Sequence, residues 1–252
     1  MIRLENVKKS FGNQVILEDY NLHVKKGETF VVLGRSGIGK SVTLKHIVGI
    51  LQPDEGKIFV DGEDITHADV PTLYRVRRKV AYLFQSGALI NWMTVGGNVE
   101  LPIREHTNLP LTRVREIAKE KLRHVEMLDA YDKYPAEISG GMRKRVALAR
   151  VLAQDPKIIL YDEPTAGLDP IMTNNITHLI RNAQTEFGVT SIVVTHHLEC
   201  AYFVGNRIGM HHGKRIEVTG TPDEIKNSTH PVVRAFLRGE AIDGDGLNNE
   251  RG

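Results

Sequence analysis

The stretch Thr29-Phe30-Val31-Val32-Leu33-Gly34-Arg35-Ser36-Gly37-Ile38-Gly39-Lys40-Ser41 decides the fold. Its first five residues form a compact apolar run that predicts a β-strand. A glycine-rich loop follows, and a helical pattern begins at Lys40. The order of strand, loop and helix is the opening unit of an α/β fold, so we expect a chain of that class.

The loop in this stretch also matches the pattern of a phosphate-binding loop. Its glycines allow backbone N–H groups to face a β-phosphate, and the following helix adds a favourable dipole. We expect Lys40 to reach the β- and γ-phosphates and the Ser41 hydroxyl to bind Mg²⁺. The alternative is a glycine-rich turn with a surface lysine. The residues predicted to contact nucleotide here are Gly34, Arg35, Ser36, Gly37, Ile38, Gly39, Lys40, Ser41 and Val42.

Two neighbouring acids follow a second apolar run. Residues 158–161 are hydrophobic and lead directly to Asp162 and Glu163. An acid at the end of a buried strand is well placed to hold Mg²⁺ through water, which we assign to Asp162. Glu163 can orient and polarise the attacking water as a general base. The alternative is that both acids cap the helix that follows them.

Other strands are indicated on both sides of these motifs. Residues 2–8, 15–24 and 57–61 are β-rich and separated by turn residues, which predicts a small antiparallel layer. A further strand is expected at 80–84. The unbroken apolar runs at 158–161 and 191–194 are typical of parallel strands covered on both faces.

The strand signal fades between residues 87 and 153. Apolar residues recur there at steps of three or four, which places them on one face of a helix. We interpret this segment as a helical lobe inserted in the α/β body, although further helices of one continuous domain would give the same pattern. The residues of the predicted face are Leu111, Val114, Ile117, Ala118, Leu122, Val125 and Leu128.

Composition narrows the class of protein. The 33 basic and 31 acidic residues nearly balance, which argues against a general nucleic-acid binder. Cys200 is the single cysteine of the 252 residues, so a reducing compartment is expected. No signal peptide is evident, and no apolar run reaches the roughly 18 residues of a spanning helix. If the protein serves a membrane, another chain must supply the membrane part.

The segment Ile138-Ser139-Gly140-Gly141-Met142 resembles the Leu-Ser-Gly-Gly-Gln signature of the ABC ATPase family. A serine and two glycines at the start of a helix offer a hydroxyl and N–H groups to an anion. The resemblance implies that Ser139, Gly140 and Gly141 cap the γ-phosphate of ATP bound by a second copy. Two copies would then form a homodimer around two ATP·Mg²⁺. The alternative is an ordinary serine N-cap.

The resemblance extends to four further positions. Gln85 matches the glutamine that senses Mg²⁺ and water, and Asp169 matches the loop that crosses the dimer interface. His196 matches the histidine that contacts the γ-phosphate. Phe11 matches the aromatic residue that stacks on adenine, or else it is hydrophobic filler. The family thus implies a catalytic set of Glu163, His196, Gln85 and Lys40, with Ser41, Gln85 and Asp162 at the metal.

The same resemblance implies an overall architecture. It predicts a phosphate-loop ABC ATPase fold over residues 1–238, with a RecA-like core, an antiparallel β subdomain and a helical subdomain at about 87–153. Residues 239–252 are expected to be a polar tail, which we expect to pack on the opposite subunit. The sequence departs from the family pattern at Val42, at Met142 and at His197, without losing an essential group.

Two regions resemble the ATPase subunits of Mla-type phospholipid transport and their relatives in MCE-protein systems, namely residues 84–107 and 139–145. This implies a peripheral protein on the cytoplasmic face of a Gram-negative inner membrane. The implied partners are a permease like MlaE, an MCE-domain lipid-binding protein like MlaD and a STAS-domain subunit like MlaB. Two alternatives remain: a mechanical ATPase of the cell-division type, and the ATPase of a small-solute importer.

Two surface features are also predicted. An apolar cluster after Gln85 could receive a helix of a permease, or it could pack within the helical lobe. It consists of Leu89, Ile90, Trp92, Met93 and Val95. The basic run Arg143-Lys144-Arg145 is interpreted as a solvated helix face.

Overall fold

The computed structural model describes residues 1–240 as a mixture of strands and helices. The strands are β1 (Ile2–Phe11), β2 (Gln14–Val24), β3 (Thr29–Leu33), β4 (Glu55–Val60), β5 (Glu63–Asp64), β6 (Val80–Leu83), β7 (Ile158–Asp162), β8 (Thr190–Thr195), β9 (Arg207–His212) and β10 (Arg215–Gly220). The helices are α1 (Lys40–Ile47), α2 (Val70–Arg77), α3 (Val95–His106), α4 (Leu111–His124), α5 (Gly140–Leu152), α6 (Pro170–Phe187), α7 (Leu198–Val204), α8 (Pro222–Lys226) and α9 (Pro231–Arg238). The α/β class expected from the sequence is confirmed.

Within residues 1–240, no helix is both long and apolar enough to cross a bilayer. The chain divides into two compact units, one formed by residues 1–76 together with those from 192 onward, and one formed by residues 77–191. The predicted tail at 239–252 lies almost wholly outside the described residues.

The first unit contains the predicted antiparallel layer. Its four strands follow the order β2-β1-β4-β5. Ile2 pairs with Val24 on one side and with Val60 on the other, and all three side chains are buried. The alternation of apolar and polar residues along β1 and β2 puts one face of this sheet into the core. The antiparallel layer is therefore confirmed.

The first unit also contains parallel pairing around β3. All five β3 residues are buried, and β3 runs parallel to β9, with Leu33 opposite Met210. Strand β10 continues from β9 as an antiparallel hairpin. Neither β9 nor β10 was predicted, because β9 ends in two histidines and β10 is only partly buried, so neither shows an apolar run.

The second unit combines two parallel strands with the longest helices. Strand β6 pairs with β7 over Val80↔Ile158 to Leu83↔Tyr161. In α4 the residues Val114, Ala118 and Leu122 are buried, as the periodicity predicts. The helix ends at His124, so Leu128 lies beyond it in a short 3₁₀ turn. The predicted helical segment is real, whereas its limits as a subdomain, about 87–153, and the domain span of 1–238 stay predictions.

Strand β8 carries the chain from the second unit into the first. Its first residue, Thr190, donates its backbone N–H to the carbonyl of Lys157 at 3.0 Å. Its last residue, Thr195, accepts a hydrogen bond from the N–H of Gly34 at 3.3 Å. All six β8 residues are buried, as expected for a strand rich in β-branched side chains.

Candidate functional site

The candidate residues fall in both units. The first unit holds Phe11, the phosphate loop and His196, and the second holds Gln85, residues 139–141 and the acids at 162, 163 and 169.

The phosphate loop joins β3 to α1 with a backbone that requires glycine. Gly37 and Gly39 have φ angles of 84° and 98°, a region that side chains strongly disfavour. A Cβ at Gly39 would collide with Ile16, and a Cβ at Gly34 would lie 2.7 Å from the carbonyl oxygen of His211. No side chain caps the first turn of α1. The loop therefore presents backbone, rather than side chains, at the helix N-terminus, as anion binding requires.

Lys40 is held inside this loop. Its side chain is only 4% exposed, and its Nζ donates to the carbonyls of Gly34 at 2.7 Å and Arg35 at 2.6 Å. A buried ammonium needs such partners to offset its lost hydration. The alternative of a surface lysine on a glycine-rich turn is therefore wrong.

His196 follows the buried end of β8 and is exposed. The hydrogen bond from Gly34 to Thr195 brings this strand end beside the start of the phosphate loop. The backbone N–H of His197 donates to the Thr195 hydroxyl at 3.0 Å, which fixes the turn after the strand. The fold of the first unit thus places His196 at the same edge as the phosphate loop.

Phe11 ends β1 and is 47% exposed. The Nζ of Lys9 lies 5.6 Å from the centre of its ring, within the range of a cation–π contact. Since Phe11 is nearly half exposed, its interpretation as hydrophobic filler is wrong. Its stacking on adenine stays a prediction.

In the second unit, parallel pairing brings Gln85 and the paired acids to one sheet edge. Gln85 follows the end of β6, and Asp162 ends β7, the strand beside it. The hydroxyl of Tyr82 donates to Asp162 Oδ2 at 2.8 Å. Burial first, and the Asp162 charge second, raise the pKa of Tyr82, so the hydroxyl stays a donor. This contact depends on strand register, and no sequence pattern indicates it.

Glu163 has a left-handed backbone with φ of 46°. This conformation costs a non-glycine residue about 1–3 kcal/mol, and such outliers concentrate at functional sites. Its side chain is only 8% exposed, as is that of Asp162. Helix α6 is capped by Asp169, whose Oδ1 accepts from the Met172 N–H at 2.9 Å. The alternative in which both acids cap the following helix is therefore wrong.

Ser139 is the N-cap of α5. Its hydroxyl accepts from the Met142 N–H at 3.3 Å, a long hydrogen bond. Ser139 and Gly140 are both exposed at this helix start. The N-cap role is thus real, and the same exposed hydroxyl and N–H groups remain suited to an anion from outside the unit.

The loop after Gln85 is held by one buried amide. Asn98 accepts from the Ile90 N–H at 2.7 Å, and its Nδ2 donates to the carbonyls of Ile90 and Thr94. Trp92, in the same loop, is 82% exposed, whereas Val95 is buried. Packing within the helical segment therefore explains Val95 but not Trp92.

A magnesium site would need a contribution from a nucleotide. Among residues 1–240, no three His, Cys, Asp or Glu side chains are grouped so that they could hold a metal ion. Mg²⁺ is usually held by one or two protein oxygens, water and substrate phosphates. Each unit offers one oxygen donor of this kind, which is the Asp162 carboxylate bonded to Tyr82 in the second unit and the Ser41 hydroxyl at the start of α1 in the first.

Comparison with known proteins agrees with these features. The family model described as ABC transporter matches residues 17–166, which include the phosphate loop, the signature segment and the paired acids. The chain belongs to this family. It is accordingly an ABC ATPase, the subunit whose ATP hydrolysis energises a transporter.

Several relatives of this ABC ATPase are similar over nearly the whole chain. A probable ribonucleotide transport ATP-binding protein, mkl of Mycobacterium leprae, is 42% identical over 99% of this chain and 72% of its own. The intermembrane phospholipid transport ATP-binding protein MlaF of Haemophilus influenzae is 40% identical over 96% of this chain and 91% of its own. The solved dimer of the ATP-binding cassette MJ0796 bound to ADP and phosphate has a TM-score of 0.81 and 34% identity, covering 88% of this chain and 99% of that one.

The interpretation of Arg143-Lys144-Arg145 as a solvated face is wrong for its middle residue in this ABC ATPase. Arg143 is exposed, but Lys144 is only 8% exposed. A run of three charged residues on a helix points in three directions, and one of these faces the interior. The burial of Lys144 could have been predicted from sequence only by noting that it lies on the same face of the helix as the neighbouring apolar residues.

His211 of this ABC ATPase is a second buried group that the sequence did not reveal. It is 2% exposed, and its ring lies 5.4 Å from that of Tyr20, measured between centres. Burial, followed by the charges of Lys40 and His212, lowers the pKa of His211 to about 3. The imidazole is therefore neutral in the folded protein at ordinary pH.

This shift predicts a loss of stability in mild acid. With a pKa near 6.5 when unfolded, His211 binds a proton in the unfolded state as the pH falls below that value, but not in the folded state until about pH 3. At pH 5.5 this destabilises the fold by about 1.4 kcal/mol relative to neutral pH. The free energy of unfolding in urea is measured at pH 7.5 and at pH 5.5. The difference between these two values should be smaller in His211→Leu than in the wild type by about 1.4 kcal/mol. The exposed His67→Leu should leave it unchanged, and an equal difference in wild type and His211→Leu would contradict the assignment.

Proposed function

We propose that this ABC ATPase energises the movement of phospholipid between the inner and outer membranes of a Gram-negative envelope. It would act on the cytoplasmic face of the inner membrane. Its partners would be a permease like MlaE, an MCE-domain protein like MlaD and a STAS-domain subunit like MlaB. The similarity to the MlaF protein of H. influenzae carries this proposal. The segments at 84–107 and 139–145 support it.

The proposed working form is a homodimer with two shared ATP sites. The MJ0796 cassette is dimeric, which supports this arrangement. One subunit would bind ATP through its phosphate loop, with Phe11 against adenine and His196 at the γ-phosphate. The second subunit would contribute Ser139, Gly140 and Gly141 to the same γ-phosphate. Ser139 and Gly140 are exposed at the start of α5, which is consistent with contact by another copy.

In the proposed hydrolysis, Glu163 orients the water that attacks the γ-phosphate and accepts its proton. Lys40 and the loop N–H groups stabilise the charge on the phosphate oxygens. Magnesium, arriving with ATP, would be held by Ser41 and, through water, by Asp162, with Gln85 sensing its position. When bound, the ion neutralises charge on the β- and γ-phosphates.

The proposed contact with the permease is the exposed loop that carries Trp92. Large exposed aromatic side chains on rigid elements are favoured anchors at protein interfaces. Asn98 fixes the loop in one conformation, so little ordering would be needed on binding.

A second candidate is the ATPase of a small-solute transporter. The mkl protein of M. leprae, which is named for ribonucleotide transport, favours it. The test is to purify the complex from its native membrane and to identify the proteins and lipids that elute with it. An MCE-domain protein with bound phospholipid is the expected result. A solute-binding protein in its place would rule out the phospholipid assignment.

A further inference from the structure

Lys144 connects two parts of the proposed site within the second unit. It lies on α5, the helix that begins beside Ser139. Its Nζ donates to the carbonyls of Pro164 at 2.9 Å and Ala166 at 2.6 Å. These carbonyls belong to the loop that runs from Glu163 to Asp169, which we call the carboxylate loop.

The burial of Lys144 indicates that its charged end has a structural role. Lys144 is only 8% exposed, and taking an ammonium group out of water is costly unless hydrogen bonds compensate. Both hydrogen bonds named above go to the backbone of the carboxylate loop. A helix residue that served only packing would be apolar at this depth. The polar end of Lys144 therefore fixes the loop rather than filling space.

Electrostatics point to the same loop. Burial lowers the pKa of Lys144, and the negative charge of Glu163 acts in the opposite direction. The lysine is thus close enough to Glu163 for their charges to interact across a poorly hydrated region. Since Glu163 also has a left-handed backbone, the loop needs external contacts to keep it in this conformation.

A second close contact lies at the start of the same helix. A Cβ on Gly141 would lie 3.1 Å from the sulfur of Met172, on the first turn of α6. Met172 in turn donates its N–H to Asp169, at the end of the carboxylate loop. The start of α5 and both ends of the carboxylate loop are therefore held together at two places, by Lys144 and by the packing of Gly141.

From this geometry we infer that Lys144 is a positioning residue that makes the signature residues 139–141 and the carboxylate loop move as one body. The inference rests on the proposed function, in which residues 139–141 serve the partner's ATP and Glu163 serves the subunit's own. Docking of the signature on one ATP would then set the position of Glu163 at the other. The two ATP sites of the dimer would be coupled through each subunit's Lys144.

The test compares variants of the full-length chain in steady-state ATP hydrolysis. Lys144→Met keeps the length of the side chain but removes its charge and donors. We expect kcat to fall about tenfold or more, with KM for ATP changed by less than about threefold, because ATP binding uses other residues. We expect the Hill coefficient for ATP to exceed 1 in the wild type and to fall to about 1 in the variant. Lys144→Arg, which restores charge and donors, should recover most of both values.

Lys133→Met is the matched control, since Lys133 is exposed in the same unit and should behave as wild type. A wild-type Hill coefficient of 1, or an unchanged coefficient in Lys144→Met, would overturn the inference. The inference would also be overturned if Lys144→Met and Lys144→Arg both raised KM as much as they lowered kcat and both lowered the thermal midpoint. That result would indicate simple destabilisation. If Lys144→Met does not fold, Lys144→Gln is measured against the same criteria. Absence of ATP hydrolysis by the wild type would instead contradict the proposed function.

Discussion

Glu163→Gln is expected to reduce ATP turnover by about a hundredfold to ten-thousandfold, the usual contribution of a general base. The substitution keeps the size of a side chain that is 8% exposed, but the amide cannot accept the proton of the attacking water. ATP binding should be preserved because the phosphate contacts lie elsewhere. The nucleotide-bound dimer should therefore accumulate. Steady-state hydrolysis, with size-exclusion chromatography and light scattering in ATP and Mg²⁺, measures both effects.

The matched control for this variant is Glu186→Gln, an exposed acid near the end of α6. It should hydrolyse ATP at the wild-type rate and show no lasting dimer. Wild-type turnover in Glu163→Gln would show that another group activates water. A variant that is inactive but stays monomeric with ATP would contradict the shared-site dimer.

Lys40→Ala is expected to weaken ATP binding by at least about a hundredfold. Hydrogen bonds to charged groups contribute about 1.5–3 kcal/mol each, and a loss of about 2.7 kcal/mol corresponds to a factor of one hundred. The same lysine bonds the carbonyls of Gly34 and Arg35, so the loop should also lose its shape. Isothermal titration with ATP and Mg²⁺ gives the affinity directly.

The control is Lys45→Ala, on the same helix and only partly buried. Its affinity for ATP should match that of the wild type. If Lys40→Ala binds ATP normally while its thermal midpoint falls, Lys40 has a structural role in the loop and the phosphate assignment is wrong. Loss of affinity in both variants would point to the helix rather than to the Lys40 ammonium.

Much of the fold was predictable because its signals are local. The run from Thr29 to Leu33 and the run at 158–161 are predominantly apolar, and both form fully buried strands. The steps of three and four between Val114, Ala118 and Leu122 fixed one buried face of α4. Strands β9 and β10 were not predicted because their burial depends on neighbours that lie far away in the chain.

Side-chain environments were the less predictable part. Phe11 is exposed although it is aromatic, and Lys144 and His211 are buried although they are polar. Residue type alone assigns each of these three to the wrong place. The exposure of Phe11 follows from its position at the end of β1, and the burial of Lys144 follows from its direction on α5. The burial of His211 follows from the pairing of β9 with β3.

The order of short motifs along the chain was sufficient to assign the family, the phosphate loop and the paired acids. These motifs are short because backbone conformation and local charge, which bind phosphate, are set by neighbouring residues. Tertiary structure alone decided that Tyr82 holds Asp162 and that Lys144 holds the carboxylate loop. Such contacts join residues distant in sequence, and only the pairing of strands and the packing of helices bring their polar atoms within bonding distance.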